Sequence, residues 1–312
     1  MTSLIEPAFS GHGDNRPPRR ASLVERAAQR LGDDSGPAPR PAPGAAPGPA
    51  VLPPKPDAGS RASAGQASGR IAIDLDRLQA LGMVTPRGER SSIAEEFRMI
   101  KRPLLQAAFT YRPGQVRRDN LIMVTSALPS EGKTFTAINL AMSIAKERDV
   151  HVLLVDSDLS RPNVGPMLNV TAEKGLTDLL DDPALDVRDV LLRTNVPNLS
   201  LILAGKPHPM GTEMLASQRA TSLIREMAER YKDRIVIFDS APALVSAEGT
   251  ALSPHVGQVL LIVEAERTTE LEVKGALDVL HACDSIQLVL NKVRTRFGLH
   301  GKGGYEGYYY YG

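Results

Sequence analysis

The stretch Ala-Leu-Pro-Ser-Glu-Gly-Lys-Thr, residues 127 to 134, sets a glycine, a lysine and a hydroxyl residue in succession just after a short apolar run. With Ala127 in place of the first glycine, it fits the spacing G-x-x-x-x-G-K-[ST]. A loop of this kind, opening a helix, turns several backbone N–H groups into one concavity, and the helix N-terminus adds positive potential there. Gly132 permits a backbone approach that a side chain would block. Lys133 would then reach the β and γ phosphates of a nucleotide, and the Thr134 hydroxyl would ligate Mg²⁺. Ser130, Glu131 and Phe135 complete the expected cradle. The competing reading is an ordinary strand-to-helix turn that happens to contain Gly-Lys-Thr.

Carboxylates at two further places favour the phosphate reading. In VLLVDSDLSRP, Asp156 and Asp158 follow an apolar run, and in IVIFDSAP, Asp239 does the same. Three acids beside a Mg²⁺–phosphate site serve as metal and water ligands, and one is available to accept a proton. For Asp156 or Asp158 taken alone, the alternative is a cap on the following loop.

These side chains need a scaffold. The runs 121–125, 151–155, 199–204, 234–238, 258–263 and 286–291 are apolar on both faces, as strands of a covered parallel sheet are. Helical patterns at 133–147, 211–230 and 268–282 lie between them. Alternating strands and helices predict a doubly wound, mostly parallel α/β sheet with helices on both faces. Ligands in such sheets bind beyond the carboxyl ends of the strands, where the loop and the acids fall. Ahead of the sheet, residues 91–111 place Ile93, Phe97, Ile100, Leu104 and Ala108 on one stripe, with Ser92 as the expected N-cap and Glu95 three residues on.

The ends of the chain read differently. Residues 32 to 69 hold nine prolines and almost no large apolar side chain, which predicts a linker unable to bury enough surface to order itself. Before it, residues 21–32 have the spacing of a short amphipathic helix, either docking on a partner or transient within a disordered arm. The predicted division is an arm at 1–70, a folded domain at 71–293 and a tail at 294–312. Five of the seven tyrosines, Tyr305, Tyr308, Tyr309, Tyr310 and Tyr311, stand in that tail among glycines. Glycine disfavours regular elements, so the tail reads as solvated, its phenols either substrate or sticky surface.

With 37 basic and 36 acidic residues, the balance gives no global case for nucleic acid. Cys283 is the single cysteine, which rules out an intrachain disulfide and fits a reducing compartment. No apolar run reaches the ~20 residues that span a bilayer, and the N-terminus lacks the basic and apolar regions of a signal peptide. A cytoplasmic location is expected.

At this point the sequence resembles the bacterial tyrosine kinases, a P-loop NTPase family often called BY-kinases, and within it the cytoplasmic autokinases found with exosortase-linked exopolysaccharide clusters. The likeness rests on PSEGKT (129–134), LLVDSDLSRP (153–162), IVIFDSAP (235–242), EEFRMIKRPL (95–104), VEAERTT (263–269) and the terminal tyrosines. It implies ATP-dependent, Mg²⁺-assisted autophosphorylation of those tyrosines between neighbouring subunits of a ring. Lys133 and Thr134 match the Walker A residues, Asp156 and Asp158 the second acidic motif, and Asp239 the Walker B acid. Asp156 matches the residue expected to help deprotonate the phenol, and Thr134, Asp158 and Asp239 the metal-binding positions. Asn291, in LNK, matches a stretch near the adenine. The family's oligomer-building E-x-x-R-x-x-R motif is matched by Glu95 and Arg98, with Lys101 at the second arginine. Ser160 and Ala241 depart from the usual arginine and proline.

The resemblance also implies partners: a membrane polysaccharide co-polymerase or chain-length determinant as activator, and a tyrosine phosphatase. Two rivals stand beside the kinase reading. One is a MinD/ParA-like switch ATPase, against which Leu128 occupies the position of that group's signature lysine. The other is a nucleotide-binding scaffold without catalysis.

Overall fold

The computed structural model describes residues 70–87, 91–110, 118–230 and 233–293. The predicted helix at 21–32 and the terminal tyrosines lie outside these. Two units divide the chain, residues 1–61 and 62–312, and everything below concerns the second.

Seven strands form one sheet: β1 (Leu121–Ser126), β2 (His151–Asp156), β3 (Leu192–Arg193), β4 (Leu199–Ile202), β5 (Arg234–Asp239), β6 (Gln258–Glu264) and β7 (Ile286–Asn291). Their order is β3-β4-β2-β5-β1-β6-β7, and every pairing is parallel except β3 with β4. Ten helices are described: α1 (Leu75–Ala80), α2 (Ser92–Phe109), α3 (Lys133–Ile144), α4 (Val164–Leu168), α5 (Leu176–Asp181), α6 (Val187–Val190), α7 (Gly211–Leu215), α8 (Gln218–Arg230), α9 (Glu248–Ala251) and α10 (Glu270–Val279).

The alternation of each strand explains its continuous apolar run. Ile122, Val124, Leu154, Ile237 and Leu260 belong to one core with α2 and α3, while Met123, Leu153, Val236, Phe238 and Leu261 belong to the other with α8 and α10. A strand covered on both faces needs apolar residues at every position.

The exception is β7. Leu288 and Leu290 are exposed, so this edge strand is covered on one face only, against the expectation that its run is buried on both. The expected helix at 211–230 is two helices, because α7 ends at the cap Ala216 and α8 begins at Gln218, with Ser217 accepting the Ala220 N–H at its start. Strand β3 and the short helices α4 to α6 and α9 have too few residues for a periodic signal.

Helix α2 starts one residue earlier than its expected cap implied. Ser91, not Ser92, accepts the Ala94 N–H, which leaves Glu95 outside a capping box. Glu95 instead pairs with Arg98 at 2.5 Å on the exposed side. Lys101 does not share that face. It is 7 % exposed, donating to the Ser143 carbonyl at 2.7 Å and pairing with Glu147 at 2.7 Å. Each step of three residues falls about 60° short of a full turn, so two steps leave position 101 about 120° around the helix from position 95, inward against α3.

The segment before α2 is anchored to the sheet. Asn195 exchanges two hydrogen bonds with the Ile73 backbone, at 2.9 and 3.0 Å, and Asn139 accepts the Val84 N–H at 2.6 Å. Among the described residues, no helix is long and apolar enough to cross a membrane.

Candidate nucleotide site

Strand β1 runs into the loop at Ala127 and the loop runs into α3. Gly132 caps that helix with φ of +99°, and a Cβ placed on it would strike the Asn291 amide. Ser130 also holds a left-handed φ of +70°. Both requirements follow from turning a buried strand into a helix within a few residues.

Opposite the loop, the register places Asp156 of β2 directly beside Asp239 of β5. Both sit at the carboxyl ends of their strands and both are 1 % exposed. Asp158 follows two residues on and approaches Lys133 Nζ to 3.8 Å. The sheet thus brings together Lys133, Thr134, Asp156, Asp158 and Asp239. A cavity of about 690 Å³ opens over Lys133, Thr134 and Asp158, while Asp156 and Asp239 are not among its lining residues. Ser130, Gly132, Lys133, Thr134, Phe135 and Asp158 line it, and Arg161, Met167 and Val245 form its other walls.

The carboxylates are poorly satisfied. Among the described residues neither oxygen of Asp239 has a partner at hydrogen-bond geometry, nor does Oδ1 of Asp156. Oδ2 of Asp156 accepts the Asn163 and Val164 N–H groups at 3.1 and 3.0 Å. Burial pushes Asp239 up to about 7, against the pull of the nearby Thr134 hydroxyl and the Lys133 ammonium. Burial, followed by the neighbouring Asp239, holds Asp156 well above the ordinary range. Burial also raises Asp158, with Lys133 opposing it.

Buried anions without partners are costly, and a cation removes that cost. Mg²⁺ is held by one or two carboxylates together with water and substrate phosphate. The donor set of Thr134, Asp158 and Asp239 fits this pattern.

Two expected cradle residues behave otherwise. The Glu131 carboxylate is buried and turned back into the protein, accepting the Leu128 N–H at 2.7 Å and the Thr268 hydroxyl. Only its backbone remains for a ligand. Asn291 donates to the Glu131 carbonyl at 2.8 Å, so in this structure its amide braces the loop in place of contacting a base. Lys292 does the same at the Ser130 carbonyl, 2.6 Å away.

Sequence reasoning missed Glu248, 2 % exposed, which accepts from the Ser160 hydroxyl at 2.7 Å and the Ser160 N–H at 3.2 Å. Serine at 160 thereby anchors the loop after Asp158 to α9. No local pattern marks a glutamate whose partner lies 88 residues away.

Comparison with known proteins agrees with this architecture. A family model described as an AAA domain matches residues 121–294. A tyrosine-protein kinase from Acinetobacter johnsonii is 33% identical over 52% of this chain, although the match spans only 21% of that protein. The tyrosine-protein kinase YwqD of Bacillus subtilis is 29% identical over 61% of the chain and 79% of its own length. The kinase domain of the Escherichia coli tyrosine kinase ETK superposes with a TM-score of 0.58 at 23% identity, covering 72% of this chain and 95% of that domain, which supports the fold. With more than half of its length matched, the chain belongs to the AAA domain family, and its relatives there are bacterial tyrosine-protein kinases.

Proposed function

We propose that this protein is an ATP-dependent tyrosine autokinase that modifies its own C-terminal tyrosines, one subunit acting on another. The observation that carries the reading is the conjunction of Lys133 and Thr134 with three buried acids at the carboxyl ends of the central strands, in a chain that carries five clustered tyrosines.

In this reading Lys133 and the loop N–H groups bind the terminal phosphates of ATP. Thr134, Asp158 and Asp239 would hold Mg²⁺, which when bound would supply charge neutralisation at those phosphates. Transfer breaks the bond from the γ phosphorus to ADP, forms one to the phenol oxygen and delivers the phenol proton to a carboxylate. A free phenol has a pKa near ~10, so an acceptor is required at neutral pH. Asp156 is assigned that role, since its raised proton affinity and unbonded Oδ1 suit it. Asp158 reaches the cavity more openly and lies 3.8 Å from the Lys133 ammonium.

Phosphorylation adds about −1.5 to −2 charges per tyrosine, and an anionic tail should leave a neighbour's acidic site. Glu95 and Arg98 remain the candidate subunit contact; Lys101 faces inward and is not part of it. We further propose that the kinase serves polysaccharide synthesis or export at the inner membrane face, with a membrane co-polymerase as activator and a phosphatase to reset it.

The test is intact-protein mass after incubation with ATP and Mg²⁺, for wild type, Lys133→Ala and a chain ending before Tyr305. Added phosphates on wild type that vanish in both variants support the proposal. Hydrolysis of ATP with no added mass, in the presence of the membrane activator, would replace it with a switch ATPase.

A further inference from the structure

The opposite rim of the same sheet carries a second cavity of about 550 Å³. It lies at the amino ends of β2, β4 and β5, where His151 and Arg234 stand side by side in register. Five residues of strand separate His151 from Asp156, about 17 Å at ~3.3 Å per residue, so this cavity is distinct from the nucleotide site.

Five arginines line it. Arg70 precedes the bridge at Ile71, Arg188 lies in α6, Arg193 in β3, Arg230 at the end of α8 and Arg234 at the start of β5. Among the described residues no acid lines the cavity. The acids nearby are engaged at its margin. Asp186 meets Arg188 at 3.3 Å and Arg230 at 3.4 Å, Glu226 meets Arg230 at 2.6 Å, and Asp233 meets His151 at 3.1 Å. Arg70 and Arg193 have no acidic partner among the described residues.

The remaining wall mixes apolar residues, Leu191 and Pro197 with the mostly buried Val187, Val196 and Leu199, with polar Thr194, Asn198 and Ser200. The guanidinium fork matches phosphate oxygens in paired hydrogen bonds, and apolar surface beside it accepts a planar ring. Arg188 and Arg230 already have acidic partners, so an entering anion would meet chiefly Arg70 and Arg193.

We propose that this cavity binds phosphorylated tyrosine, with the phosphate on Arg70 and Arg193 and the ring against the apolar part of the wall, and that its source is the tyrosine-rich C-terminus of this chain or a second copy. The source rests on the autokinase reading; the binding itself does not. A modified tail would thus be held at the far rim, away from the acidic rim that made it.

The experiment titrates full-length protein, verified by mass to be unphosphorylated, against synthetic labelled peptides of residues 303–312. One carries phosphate on Tyr310, one is unmodified, and one has phosphoserine at that position; inorganic phosphate serves as competitor. Saturable binding of the phosphotyrosine peptide, about tenfold tighter than either other peptide, is expected. Arg193→Gln and Arg70→Gln should each weaken it about fivefold to tenfold while leaving ADP binding intact, which reports that the variants are folded. Equal binding of the phosphoserine peptide would overturn the ring's part in the proposal. Loss of saturable binding, or binding untouched in both variants, would overturn the site. Because the peptide is synthetic, a chain that binds it yet never gains phosphate would sink the kinase reading alone.

Discussion

The two rims of one parallel sheet carry opposite chemistry. At the carboxyl ends of β2 and β5, Asp156 and Asp239 lie adjacent and buried, with three of their four oxygens lacking a partner among the described residues; at the amino ends, His151 and Arg234 stand in register beneath four more arginines. Every central strand points the same way, so residues that begin strands gather at one rim and those that end strands gather at the other. A formal net charge of +1 conceals this separation. Electrostatic inference from composition speaks only for the whole surface, whereas binding answers to the local field.

The largest effect should come from the acidic rim. Lys133→Ala is expected to cut tail phosphorylation at least about a hundredfold by removing the ammonium assigned to the phosphates, read by mass against time. Retained activity would separate that rim from the chemistry altogether.

Next in size, Asp156→Asn should slow transfer about a hundredfold and flatten the acidic limb of the pH–rate profile, since the acceptor must be deprotonated to work. If Asp158→Asn flattens that limb and Asp156→Asn does not, the acceptor is the acid exposed to the cavity.

Asp239 sharpens the contrast through stability. Its folded value of about 7 stands above the ordinary 3.8, so the folded state holds the proton more tightly than the unfolded one. The resulting stabilisation is complete below the ordinary value and is lost as pH rises through about 7. Nucleotide-free protein should therefore show a falling thermal midpoint over that window. Asp239→Asn should reduce the slope and, at pH 8, gain on the order of 2 kcal/mol over wild type in denaturant melts, with Mg²⁺·ADP protecting only the wild type.

The smallest effects concern α2, away from either rim. Lys101→Ala should cost about 2 kcal/mol, because it strands the Ser143 carbonyl and Glu147. Arg98→Ala, losing only an exposed pair, should cost under about 0.5 kcal/mol. Equal losses would mean that Lys101 is not held inward in solution.

What could be read from the residues follows the same division. Strands buried on both faces announce themselves by unbroken apolar runs, and the loop at 127–134 by its glycine, lysine and threonine. The acids beside it were visible because each ends such a run. Glu248 and Thr268 were not, since each acts on a partner distant in sequence. Lys101 misled because a three-residue repeat looks like one helix face until the turn accumulates. The arginine cavity draws its lining from six separate places along the chain, each an ordinary surface charge by itself.

The bracing of the phosphate loop has a kinetic meaning. Asn291 grips the Glu131 carbonyl, Lys292 the Ser130 carbonyl, and Thr268 the Glu131 carboxylate, all from the β6–β7 side of the sheet. The loop is therefore cast in its left-handed bends during folding, and its conformational entropy is surrendered before any nucleotide arrives. A ligand entering such a mould has little left to order, which favours fast capture and, on the proposed kinase reading, would leave the slow events of the cycle to steps other than nucleotide binding.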